Sequence, residues 1–154
     1  MFLKVLIMGL PGAGRTSLAR ALSQRLDAVY FNGDEFRANI ARGLGLSLED
    51  QVEQARRIGW LCNCVSEAGG AAVADLVCPT EETRAAVQPD FLIWVDRVEP
   101  DQDEDAVALF TPPAQYDLRV PGDGSLEVWA DNIGALLPQR DRNKRRWDSW
   151  RTPG

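Results

Sequence analysis

Apolar residues along this chain alternate between two patterns. Short continuous runs are bounded by turn residues, and longer stretches carry apolar residues at three- and four-residue spacing. "LKVLIMG" (3–9) reads as a fully buried strand, and "TSLARALSQRL" (16–26) as a helix with Leu18, Ala19, Leu22 and Leu26 on one face. A short strand follows at 28–32, then a short helix at 34–44. Ser47 and Asp50 resemble a capping box before a longer helix at about 48–68. Val52, Ala55, Ile58, Cys62 and Val65 form its inner face, and Gly69 and Gly70 end it. "AAVADLVCP" (71–79) is a strand closed by Pro79, "TEETRAAV" (80–87) a short helix, and "DFLIWVD" (90–96) another buried strand that includes Trp94. Residues 97–110 are acidic and break the pattern. "YDLRV" (116–120) is a last strand, and "SLEVWADNIGALL" (125–137) an amphipathic helix.

Strands alternating with helices predict an α/β fold with a parallel sheet of about five strands and helices on both faces. The 154 residues suit one domain. We place it at 1–137, with a basic tail at 138–154. No apolar run reaches the 18 or so residues of a membrane span. "MFLKVLIMGL" leads into a glycine loop rather than a cleavage site, so the expected compartment is the cytoplasm. Three cysteines, Cys62, Cys64 and Cys78, are read as core filler. The chain has no histidine, which removes imidazole-dependent triads and general bases. The net charge of −6 is uneven, because the tail holds six basic residues. The acidic body is a poor non-specific partner for nucleic acid.

The chemistry concentrates at "GLPGAGRT", Gly9 to Thr16, between the first strand and the first helix. It matches the phosphate-binding pattern G-x-x-x-x-G-K-[ST] except that Arg15 stands for the lysine. Gly9, Gly12, Ala13 and Gly14 let the backbone wrap with its N–H groups inward, and the helix start through Ser17 adds positive potential. Together they predict binding of ATP, with Thr16 on Mg²⁺. Arg15 keeps the positive charge for the β- and γ-phosphates in a longer, planar form. The only lysines, Lys4 and Lys144, offer no substitute.

Downstream, "FNGDEFR" puts Asp34 beyond the end of the second strand, where parallel sheets present functional groups. Asp34 is the candidate to accept the proton of an acceptor hydroxyl; it also suits a helix N-cap. Arg37, one turn on, and Arg57 on the long helix are candidate acceptor-binding cations. Asp75, an acid within an apolar strand, is a candidate partner of the metal shell or a hydrogen-bonded structural acid. Arg56, Arg57 and Arg84 read equally well as solvated charges, and Asp96 as a cap or structural acid.

The succession of this loop, "NGDEFR", "GLGLSLEDQVEQARRIG", "ADLVCPTEETR" and "FTPPAQYDLRV" resembles the adenylylsulfate kinases and their small phage-encoded relatives. The resemblance implies a P-loop kinase fold, a three-layer sandwich. It implies transfer of the γ-phosphoryl group of ATP, with Mg²⁺, to a hydroxyl of a nucleotide-like acceptor. The chain departs from that pattern at Asn32, where D-G-D is usual, at Gln51 and Gln54, where Arg and Asn are usual, and in a lid of five acids and no basic residue. The small size and short lid look more like the phage group that phosphorylates 5-hydroxymethyluracil in DNA, which is the expected acceptor. The alternatives are adenylylsulfate and a nucleotide-binding subunit without turnover.

Overall fold

The computed structural model describes residues 3–97 and 103–138. Nearly all of the basic tail lies outside them. Buried aliphatic residues make β1 (Lys4–Met8), β3 (Ala72–Leu76) and β4 (Phe91–Asp96) the middle of a parallel sheet. β2 (Val29–Asn32) and β5 (Leu118–Pro121) are its edges, in the order β2-β3-β1-β4-β5. Every residue of β3 is buried, as expected of a strand covered on both faces.

Two apolar layers cover the sheet. On one face, Leu18, Leu22 and Leu26 of α1 (Arg15–Leu26) pack with Ala130 and Ile133 of α6 (Leu126–Leu136) over Val5, Ile7 and Ile93. On the other, Ala55, Ile58 and Cys62 of α3 (Leu48–Glu67) join Phe36 of α2 (Gly33–Asn39) and Val87 of α4 (Glu81–Val87) over Leu6, Met8 and Ala74. The chain thus leaves β1 for one face through α1, and leaves β3 for the other through α4. β1 and β3 are neighbours, so their carboxyl ends open a crevice where the two connections diverge.

The capping chemistry follows the sequence in part. Ser47 accepts from the Asp50 N–H at 3.1 Å, but the Asp50 carboxylate accepts from Gly45 N–H, so the box is half formed. Two elements differ from the pattern reading. α2 stops at Asn39, well short of 44, because Ala41 turns under the sheet into the core; its N–H, like that of Ile40, bonds the Phe36 carbonyl. The acidic stretch contains a helix, α5 (Glu104–Leu109), that apolar periodicity did not reveal. Asp103 caps it through the Asp105 N–H at 2.9 Å, and Glu104 and Asp105 complement its N-terminal dipole. No residue of α5 is buried, so no apolar stripe was there to be read. Among the described residues no helix is long and apolar enough to cross a membrane.

α3 and α4 meet at Gly59. A Cβ there lies 2.6 Å from the Val87 carbonyl oxygen and 2.9 Å from its Cα. Helix propensity alone favours alanine over glycine by about 1 kcal/mol. The clash is with backbone, which yields only if α4 moves, and overpacking of this kind costs about 1–3 kcal/mol. Gly59→Ala is therefore expected to lower the midpoint of urea unfolding with an unchanged slope; a raised midpoint contradicts the close approach.

Candidate functional site

The loop from Gly9 to Gly14 carries the chain from β1 into α1 along the crevice. Gly9 passes so close to β4 that a Cβ would stand 2.5 Å from the Val95 carbonyl oxygen. Gly14, the N-cap of α1, has φ +96°, and a Cβ there would stand 2.8 Å from Leu126 Cδ1. Among the described residues no side chain caps α1, so its first-turn N–H groups point into the loop without a side-chain cap.

Asp75 lies at the base of the loop, 1 % exposed, and register explains its partners. β2 and β3 pair Asn32 with Asp75, and Tyr30 is two residues back on the same face of β2. Asn32 Nδ2 donates to Asp75 Oδ2 at 3.0 Å, and the Tyr30 hydroxyl donates to the same oxygen at 2.8 Å. Burial first, and the bond to Asp75 second, push the Tyr30 hydroxyl up to about 12, so it remains a donor through the physiological range. From α1, Thr16 Oγ1 donates to Oδ2 at 2.8 Å. Arg15 Nε donates to Oδ1 at 2.8 Å, and Arg15 Nη1 to the Gly9 carbonyl at 2.5 Å. Three of these donors share Oδ2 and one reaches Oδ1, so both oxygens of the buried carboxylate are bonded.

Beside Asp75 opens a cavity of about 590 Å³. Asp34, Arg37 and Gln54 line one wall, Arg15 and Asp75 the loop side, and Asp105 of α5 and its cap Asp103 also line it. The cap of α2 is Asn32, whose Oδ1 accepts from the Glu35 N–H at 3.0 Å. Asp34 is thereby released from capping; its side chain is 85 % exposed and stands 3.7 Å from Arg37 Nη1. Gln54, buried, holds this wall: Nε2 donates to the Gly33 carbonyl at 2.6 Å, and Oε1 accepts from Arg37 Nη2 at 3.3 Å. Arg37 Nε is buried without a hydrogen-bond partner.

The structure thus brings Arg15, Thr16, Asp34, Arg37 and Asp75 together. It does not bring Arg57 to the cavity: Arg57 Nε bonds Glu53 Oε1 at 2.9 Å on the outer side of α3, where Arg56 bonds the same carboxylate. Arg84 is not a solvated charge. It is 3 % exposed and donates to the Cys78 and Thr111 carbonyls, tying the segment after α5 to α4. Asp96 is structural, bonding Arg119 Nη2 at 2.6 Å. Cys62 and Cys78 are core, and burial pushes both thiols up to about 12; Cys64 is half-exposed. Sequence reading missed Tyr30, and it treated Asn32 and Gln54 only as departures from a pattern. The polar residues Tyr30 and Asn32 alternating on a short strand were the available signal.

The family model of adenylylsulphate kinase matches residues 2–92. The adenylyl-sulfate kinase of Chloroflexus aurantiacus is 39 % identical over 90 residues, 55 % of this chain and 48 % of that protein. The adenylyl-sulfate kinase of Myxococcus xanthus is 36 % identical over 86 residues, 53 % of this chain and 46 % of that protein. The matched segment thus spans about half the length of these curated relatives. The Mycobacterium tuberculosis APS kinase CysC, solved in complex with AMPPNP and APS, superposes with a TM-score of 0.77 at 23 % identity, covering 88 % of this chain and 96 % of that one. That likeness establishes the P-loop kinase fold.

Nucleotide binding tests the loop. ADP or ATP with magnesium is expected to raise the melting temperature, since a ligand of the folded state at 100 times its Kd adds about 2.7 kcal/mol. Gly14→Val is expected to abolish the rise, because the new side chain meets a positive φ and Leu126 at once. No rise in the parent at millimolar nucleotide refutes the loop's role.

Proposed function

The chain belongs to the adenylylsulphate kinase family, and from that premise we propose that it transfers the γ-phosphoryl group of ATP to a hydroxyl of a nucleotide-like acceptor, adenylylsulfate first among the candidates. The observation that carries this reading is one cavity shared by the loop side, Arg15 and Asp75, and the acceptor side, Asp34 and Arg37.

Each residue has a role that its surroundings support. The loop backbone and the α1 N-terminus cradle the phosphates. Asp34 accepts the proton of the attacking hydroxyl, and Arg37 beside it, on the cavity wall, supplies a cation for an anionic group of the acceptor. The Thr16 hydroxyl spends its hydrogen on Asp75, which leaves its lone pairs to ligate Mg²⁺. Asp75, whose Oδ2 already accepts from Thr16, Tyr30 and Asn32, fits better as the anchor of Thr16 than as a direct ligand. Magnesium, when bound, neutralises charge on the β- and γ-phosphates. Positioning and charge carry the reaction, so the protein needs no covalent intermediate.

A second acceptor has one observation in its favour. Two arginines and four aspartates line the described cavity, with Asp103 and Asp105 at the start of α5. The sulfate group of adenylylsulfate enters against that balance, whereas the hydroxymethyl group of 5-hydroxymethyluracil is neutral at the reacting end, although the DNA phosphates that accompany it face the same acidic body. The family match gives that acceptor no support, and adenylylsulfate remains the better-supported substrate.

Labelled ATP offered with adenylylsulfate and, separately, with 5-hydroxymethyluracil DNA separates the readings. Label is expected on adenylylsulfate. Label on DNA alone selects the second acceptor, and ATP binding with no transfer to either selects a binding subunit. Asp34→Asn is expected to cut turnover roughly 10²–10⁴-fold while ATP binding and the melting temperature persist. Equal loss of stability and turnover refutes the acid–base role.

A further inference from the structure

Arg15 stands where a phosphate-binding cation is expected, yet its guanidinium has two protein acceptors. Nε reaches Asp75 Oδ1 at 2.8 Å, and Nη1 reaches the Gly9 carbonyl at 2.5 Å. The pair is enclosed: the Asp75 side chain is 0 % and the Arg15 side chain 13 % exposed. Among the described residues Arg15 is also the only cation bonded to Asp75, since Thr16, Tyr30 and Asn32 are neutral donors, all on Oδ2. Oδ1 belongs to Arg15 alone among these bonds. A planar guanidinium fixed by this geometry cannot also present the same edge to a phosphate.

We propose that Asp75 and the phosphates of a bound nucleotide are rival acceptors for the guanidinium of Arg15, so that Asp75 sets nucleotide affinity through Arg15. This rests on the reading of Gly9–Thr16 as a nucleotide loop. The rivalry reaches the acceptor side as well. Asn32 donates to Asp75 with Nδ2 and caps α2 with Oδ1, and α2 carries Asp34. When Arg15 turns to phosphate, Asp75 keeps only the neutral donors on Oδ2, and the charge it loses at Oδ1 makes Asn32 and Thr16 its remaining ties to the two sides of the site. Asp75 is in this account a positioning residue with a tunable counter-ion.

The test measures ADP binding by calorimetry, with a chelator present to remove divalent ions, in the parent, Asp75→Asn, Arg15→Ala and the double variant. Removing the rival frees Arg15, so Asp75→Asn is expected to tighten ADP binding by about tenfold, the low end for a charge-assisted hydrogen bond. Arg15→Ala is expected to weaken binding, and the double variant to bind no more tightly than Arg15→Ala alone. An equal gain from Asp75→Asn with alanine at 15 overturns the proposal, since it reports only loss of a negative charge near phosphate. No gain at all overturns it too. Because a buried Asp75→Asn can fail to fold, the Arg15 Nε–H signal is followed by NMR in the parent, assigned by its loss in Arg15→Lys. It is expected to shift as ADP saturates the protein, and an unmoved signal overturns the rivalry. A parent that binds no ADP, with or without magnesium, overturns the nucleotide-loop reading and this proposal with it; binding without coupling overturns this proposal alone.

Discussion

A carboxylate buried in the sheet constrains everything around it. Asp75 sits at the carboxyl end of β3 with its side chain closed to solvent, a position that is unfavourable unless donors converge on it. Two separate parts of the chain supply them, β2 and α1. β2 must pair in the register that sets Asn32 beside Asp75, and a one-residue slip would turn Tyr30 and Asn32 to the other face. α1 must begin where Arg15 and Thr16 reach the same group. The loop between β1 and α1 is then fixed at both ends, which is why its glycines run against Val95 on one side and Leu126 on the other. The course of the loop follows from satisfying one acid.

Much of this was legible because it is local. The loop shows its glycines and its threonine in a strand-to-helix context. The long helix α3 shows its buried stripe, and Asp34 its place after a strand. What was not legible depends on distant chain. Arg84 in "TEETR" looks like any surface charge, and its burial depends on carbonyls at Cys78 and Thr111, the latter 27 residues away. Arg57 looked available to an acceptor, but Glu53 one turn earlier takes it. α5 escaped because a helix of six residues with nothing buried is held by its cap and its acidic first turn, and neither leaves an apolar period. Tyr30 became informative only when the register of β2 was known.

The extent of the family match has a physical reading as well. It stops at residue 92, at the start of β4, while the structural likeness covers 88 % of the chain. The matched part holds the loop, Asn32 to Arg37, Gln54 and Asp75, where substitution alters a hydrogen bond or a charge. The remainder packs by broad rules. α6 needs small and apolar residues such as Ala130 and Ile133 against α1, and Arg25 on α1 meets Glu127 and Asp131 at its surface. Many sequences meet those terms. The lid is free to differ more, because α5 touches the cavity with a few side chains and contributes nothing to the core.

The two departures nearest the loop make sense only together. Lysine carries a point charge on a flexible stem and can leave a carboxylate for a phosphate at little cost. Arginine has a rigid planar fork, and at position 15 it spans Asp75 and the Gly9 carbonyl at once, closing its own loop. That closure depends on Asp75 being the sole acid at the spot. An aspartate at position 32 would face Asp75 in register, set two carboxylates around one guanidinium, and lose the 3.0 Å donor that Asn32 provides. With asparagine the count balances: one buried anion, one cation, and neutral donors for the other oxygen. Arg15 and Asn32 therefore form one electrostatic solution, in which a single buried acid holds the loop's own cation on one oxygen and a neutral donor from β2 on the other.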